Sequence, residues 1–115
     1  SDARELGKPL VIEEFGLIRD NGSISPASAA TERNEYYSWL LDKVAVSASE
    51  GDVLAGANFW AFAGAGRART EEGVWALGDD FLGDPPFEPQ GKFSVFDTDT
   101  ATLDIVKSVN EKLSL

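Results

Sequence analysis

Two successive carboxylates, Glu13 and Glu14, lie inside the run K-P-L-V-I-E-E-F-G from Lys8 to Gly16. A carboxylate is expensive to remove from water unless it is paired. Two of them directly after the apolar triplet Leu10, Val11, Ile12 therefore need a reason. In parallel α/β folds the C-terminal ends of the strands form the floor of the active site. A carboxylate placed there can act as a nucleophile or as a general acid or base. Other chemistries are excluded by composition. The chain has no His and no Cys, so it cannot assemble a Ser-His-Asp or Cys-His centre, most zinc sites or a disulfide framework. Asp79, Asp80 and Asp84 lack the ligand spacing of a calcium hand, and no metal or cofactor is expected.

The elements that must hold these carboxylates read as strand, helix, strand, long loop, helix. The first strand spans about residues 9–14, after a polar lead-in from Ser1 to Gly7. Gly16 is expected to let the backbone turn just beyond it. A polar loop follows, with Asn21-Gly22 and Ser25-Pro26 as turn signals. A helix over 30–49 carries Tyr36, Tyr37, Leu40, Leu41, Val44, Ala45 and Ala48 at three- and four-residue spacing. Glu32, Arg33, Glu35, Asp42 and Lys43 fall mostly off that stripe, and Gly51 is placed to stop the helix. V-L-A-G-A-N-F-W-A-F, at 53–62, reads as a second buried strand. Helix between two apolar strands implies a parallel, right-handed crossover. Residues 63–99 form a long loop rich in Gly, Asp and Pro, with a short extended piece at Phe93 to Phe96. A loop of that length in a compact domain tends to be functional. The last helix covers 100–113 on the stripe Leu103, Val106, Val109 and Leu113, with Thr98 or Asp99 as cap and Asp97 beside them.

Strand alternation sorts the candidates. It puts Leu10, Ile12 and Glu14 on one face and Val11, Glu13 and Phe15 on the other, so only one carboxylate faces the centre. Glu14 is either a catalytic group or a carboxylate at the sheet's rim. Glu13 is expected in an ion pair behind the sheet. Trp60 shares a face with Asn58 and Leu54, and its ring either stacks on the C–H face of a pyranose or packs in the core. Trp75 is a second sugar platform or the long loop's own anchor. Arg67 and Arg69 either reach substrate hydroxyls or pair with Glu71, Glu72, Asp79 or Asp80, and pairing is the role expected.

The net charge is −10, from 20 acidic and 10 basic residues. That disfavours nucleic acid and anionic membranes as partners and tolerates neutral substrates such as sugars. No apolar run approaches the roughly 18 residues of a membrane span. The chain has no Met and begins at Ser1, which reads as a processed chain or a fragment. Two parallel strands and two helices leave sheet edges and faces uncovered. The fold class is therefore read as α/β, the last two β/α units of a (β/α)₈ TIM barrel and incomplete alone.

These residues also carry a family resemblance. K-P-L-V-I-E-E-F-G resembles strand seven of glycoside hydrolase family 5, especially its β-mannanases. G-A-N-F-W-A-F-A-G, at Gly56 to Gly64, resembles strand eight. G-D-P-P-F-E-P-Q-G-K-F-S-V-F-D, at Gly83 to Asp97, resembles the loop leading into the last helix of a mannanase-like branch. The resemblance spans nearly the whole chain and implies one C-terminal segment of a catalytic domain. It places the nucleophile on Glu14 and a substrate platform on Trp60, with Asn58 and Trp75 as further substrate-binding candidates. It implies a retaining enzyme acting on β-1,4-mannan or manno-oligosaccharides. An exo-β-mannosidase and a β-1,4-glucanase are the alternatives within the family, and a non-catalytic half-barrel is the alternative outside it. The acid/base, and strands one to six, are expected from an N-terminal barrel segment, so the isolated chain is expected to be inactive. A polysaccharide substrate implies a secreted or periplasmic setting.

Overall fold

The computed structural model describes residues 2–114; Ser1, at the head of the lead-in, and Leu115 lie outside them. The lead-in is a single helical turn, α1 (Asp2–Glu5), tied by an exposed ion pair between Arg4 and Asp52 at 2.6 Å to the turn that precedes the second long strand. β1 (Leu10–Phe15) and β2 (Leu54–Phe59) pair in parallel, and α2 (Thr31–Glu50) connects them. β3 (Phe62–Gly64) and β4 (Val95–Phe96) form a second small parallel ladder, and α3 (Thr100–Leu113) closes the chain. Among the described residues no helix is long and apolar enough to cross a membrane.

The core lies between the β1–β2 ladder and the two helices. Phe15, Tyr37, Leu40, Leu41, Val95 and Val109 form its centre. Phe15 meets the Tyr37 ring edge-on at 4.8 Å and the Tyr36 ring at 6.1 Å, separations favoured by the aromatic quadrupole. α2 lacks a side-chain cap of its own at Ala30. Asp20, from the preceding loop, supplies one by accepting the Glu32 N–H at 3.1 Å. A hydrogen bond from Thr31 chiefly holds the Asp20 carboxyl below the usual range. At the other end Gly51 takes φ 68°, and Asp52 N–H closes on Ser47 O at 2.9 Å, a Schellman-type stop.

Two expectations about the strands change. The run over 53–62 is two strands in two ladders, divided at Trp60 and Ala61. Alternation along β1 also fails. Ile12 pairs with Ala57 and Phe15 with Phe59, so three steps on β1 oppose two on β2. This extra residue is a β-bulge. It brings Ile12 and Phe15 to the same helix-facing core and leaves Glu13 and Glu14 both exposed.

Arg33 departs from expectation too. Its side chain is wholly buried, as is that of Arg19 from the polar loop. Both guanidiniums meet the Asp99 carboxylate, Arg33 at 3.1 Å and Arg19 in a very short contact. Asp99 thus spends its side chain on these arginines and on the Phe96 N–H at 2.8 Å, not on capping α3. Burial alone would raise the Asp99 carboxyl. The Arg19 and Phe96 hydrogen bonds and the two positive charges outweigh it and hold the carboxyl below its ordinary value. Arg33 also donates to Ser94 O at 2.9 Å and to the Thr102 hydroxyl at 3.1 Å. The cluster thereby ties the loop after β1 to α2, β4 and α3, beside the apolar core those three elements share.

Candidate active site

Phe15 ends β1, and its carbonyl accepts the Trp60 N–H at 2.7 Å. This bond fixes the end of β2 against the end of β1. The next residue, Gly16, passes so close to Trp60 that a Cβ there would lie 2.6 Å from the Trp60 carbonyl oxygen. Gly16 is therefore required for space; it is not among the positive-φ glycines that turn the chain. The result is a cavity of about 210 Å³ lined by Glu14, Phe15, Gly16, Trp60 and Phe93. It stands at the C-terminal ends of two paired parallel strands, where α/β folds place their chemistry.

Its far wall comes from the long loop. Ala61 N–H donates to Phe93 O at 3.2 Å, and Val95 N–H donates to Ala61 O at 2.7 Å, so Phe93 is strapped beside Trp60. Gly83 takes φ 107° and lies where a Cβ would meet the Ala61 methyl at 2.5 Å. Between these contacts the loop is braced by two buried polar side chains. The Asp84 carboxylate accepts the Gly91 and Lys92 N–H groups at 2.8 and 2.9 Å. The Gln90 amide accepts from Leu82 N–H at 3.1 Å and donates to Asp84 O at 2.7 Å. Burial is the main influence on Asp84 and pushes its carboxyl up, against the pull of the two amide bonds. Residues 63–99 thus include two short strands and a braced turn.

Glu14 and Trp60 come together in this cavity, and Trp60 as a residue is 43% exposed. Asn58 does not join them. It lines a separate groove of about 380 Å³ that also involves Leu41, Val44, Val106 and Val109. Trp75 is half-buried in the long loop, and its indole N–H donates to Asp79 O at 3.2 Å. The ion pair expected for Glu13 is not formed: no ion pair among the described residues involves Glu13 or Glu14. The bulge accounts for this by leaving both carboxylates in solvent. Arg69 pairs with Asp79 at 2.8 Å, as the sequence suggested, whereas Arg67 pairs with Asp97 at 2.6 Å. Phe93 is the wall residue that sequence reading missed; its only signal was the extended character of Phe93 to Phe96. Among the described residues no group of three or more acidic side chains is arranged to hold a metal.

Comparison with known proteins shows the family. The family model described as GH family 5 beta-mannosidase-like matches residues 1–115. The crystal structure of a glycoside hydrolase family 5 mannosidase from Rhizomucor miehei is 35% identical, with a TM-score of 0.80 over 96% of this chain. A structure of a mutant of that mannosidase in complex with mannosyl-fructose gives the same identity, coverage and TM-score. This chain spans 28% of the length of those structures. No curated protein matches. This α/β chain, with a carboxylate and a half-exposed tryptophan at paired strand ends, thus matches one segment of a glycoside hydrolase fold. It belongs to glycoside hydrolase family 5, within the β-mannosidase-like group.

Proposed function

We propose that the enzyme containing this chain hydrolyses β-mannosidic bonds with retention of configuration, and that Glu14 is its nucleophile. The observation that carries the proposal is the shared cavity of Glu14 and Trp60 at the ends of β1 and β2. Membership of the mannosidase-like group supports the choice of mannosides. A Glu14 oxygen attacks the anomeric carbon and forms a glycosyl-enzyme, while a second carboxyl group protonates the departing oxygen. Water, activated by that second group, then releases the sugar. Retention requires the two carboxyl groups to stand about 5–5.5 Å apart. Glu13 is no substitute, because Glu14 alone of the pair lines the cavity. The acid/base therefore comes from another segment of the barrel.

In this reading β1 and β2 are strands seven and eight of a (β/α)₈ barrel, and strands one to six flank their free edges. The exposed apolar side chains of Leu10, Val11 and Phe62 are surface that such neighbours cover. Trp60 stacks on the reacting mannose. The braced loop from Gly83 to Phe93 walls one side of the cavity, which favours removal of units from a chain end over cleavage within a β-1,4-mannan. A substrate of this kind places the enzyme outside the cytoplasm. The test uses the full-length enzyme with 4-nitrophenyl β-mannoside, manno-oligosaccharides and mannan. Glu14→Gln is expected to lower kcat on the order of 10⁴- to 10⁶-fold while sugar binding persists. Activity within tenfold of the parent would remove Glu14 from the nucleophile's role.

A further inference from the structure

A second, larger cavity lies between the loop that follows β1 and the loop that follows β3. It measures about 450 Å³, and Ser25, Arg67, Arg69, Thr70 and Glu71 supply its polar lining. Ile24, Pro26 and Ala68 supply an apolar side. The volume falls within the range of small-molecule sites, roughly 300–1,000 Å³. It shares no lining residue with the Glu14 cavity. Both loops nevertheless leave the strands at the end that carries Glu14 and Trp60.

The lining decides what fits. Each guanidinium is already matched by a carboxylate, Arg67 by Asp97 and Arg69 by Asp79. Glu71 adds a further negative charge, and the chain as a whole carries −10. An anion finds no uncompensated cation here. A neutral polyol finds charged donors, acceptors and hydroxyls, with an apolar surface for its C–H groups. Both arginine side chains remain accessible, at 38% and 56% exposure. The cavity is also rigidly built. Arg67 donates to Gly64 O and Gly66 O at 3.1 and 2.8 Å, and its guanidinium lies 5.1 Å from the Phe96 ring centre. Arg67 lies seven positions after Trp60, a path of at most about 25 Å, so one oligosaccharide can reach from one cavity towards the other.

We propose that this inter-loop cavity is a remote saccharide subsite, holding a unit of the substrate away from the bond that is cleaved. The proposal rests on the glycosidase reading and adds a length preference to it. Ala68→Phe fills the cavity without removing a hydrogen bond, and Arg69→Ala removes one guanidinium. In the full-length enzyme both are expected to raise KM for mannopentaose and mannohexaose about tenfold. Their kcat, and their kcat/KM on 4-nitrophenyl β-mannoside, whose single sugar unit is taken up at the Glu14 cavity, are expected to stay at the parent's values. Equal KM values for parent and Ala68→Phe at every chain length would overturn the subsite. If the parent hydrolyses no mannoside, the mannosidase reading fails and calorimetry decides the subsite separately. Mannohexaose should then bind the full-length parent about tenfold more tightly than Ala68→Phe, and equal or undetectable binding overturns the proposal.

Discussion

Replacing Gly16 by Ala tests how the candidate site is built. The new Cβ would lie 2.6 Å from the Trp60 carbonyl oxygen and 3.4 Å from Cδ1 of Phe93. Relief to an ordinary contact of 3.4 Å requires the Trp60 carbonyl to move by about 0.8 Å. That carbonyl belongs to the residue whose N–H is bonded to Phe15 O at 2.7 Å, so the end of β2 must move as a unit. Overpacking of this kind costs about 1–3 kcal/mol. Misplacement by about 1 Å costs on the order of 10²-fold in rate when a reacting group must be held in geometry. Gly16→Ala in the full-length enzyme is therefore expected to lower kcat/KM on 4-nitrophenyl β-mannoside about 10- to 100-fold. Its melting temperature should fall by only a few degrees, since about 1 kcal/mol corresponds to roughly 2–4 °C in a large domain. A folded variant with the parent's kcat/KM would refute the argument that close approach at Gly16 sets the position of Trp60.

The polar interior makes two further predictions. Asp99→Ala leaves the buried Arg19 and Arg33 guanidiniums without their carboxylate and should cost about 3–5 kcal/mol, read as a lower urea midpoint; a loss below about 1 kcal/mol would show the cluster to be dispensable. The same carboxyl is held below its ordinary value, so its stabilisation is complete above about pH 4 and is lost as pH falls through the depressed value. The parent's midpoint should therefore fall on that acid limb, and Asp99→Asn should flatten it. Asp84 carries the opposite sign. Its carboxyl is raised, chiefly by burial, so it costs stability once pH climbs through the ordinary Asp value towards the folded one. Asp84→Asn keeps an oxygen for the Gly91 and Lys92 N–H groups, and should gain on the parent at pH 7 relative to acid pH. An unchanged difference across that range would assign the Asp84 carboxylate no net burial penalty.

What was legible in the sequence followed from periodicity, and what was hidden depended on contacts between distant residues. The stripe of Tyr37, Leu40, Leu41 and Val44 gave α2 and its buried face, and all four are in the core. Arg33 reads as lying off that stripe because its residue type argues for solvent, yet it stands one turn before Tyr37 and is buried with it. Its partner in the cluster, Asp99, could not be paired with Arg19 by inspection, because 80 residues separate them. Asp99 consequently read as a helix cap, the local role of a lone Asp before a helix. The bulge was equally hidden. A period of two assigns faces only while the register holds, and the step between Ile12 and Phe15 breaks it.

That break changes why one carboxylate of the pair is selected. Alternation would have chosen Glu14 by turning Glu13 behind the sheet, but both are exposed. Selection comes instead from what surrounds the end of β1. Trp60 is bonded to Phe15 and pressed against Gly16, while Phe93 and Gly83 hold the Trp60–Ala61 segment from the loop side. These contacts build the wall beside Glu14 and no wall beside Glu13. The cavity is thus a joint product of the strand end and a loop that begins beyond Trp60 and returns at Phe93. A change in that loop therefore reaches Trp60, the proposed platform, through Ala61 and the wall through Phe93, without touching Glu14. Loop variants should accordingly alter KM and chain-length preference before they alter the covalent step, whereas substitutions at Gly16 strike both.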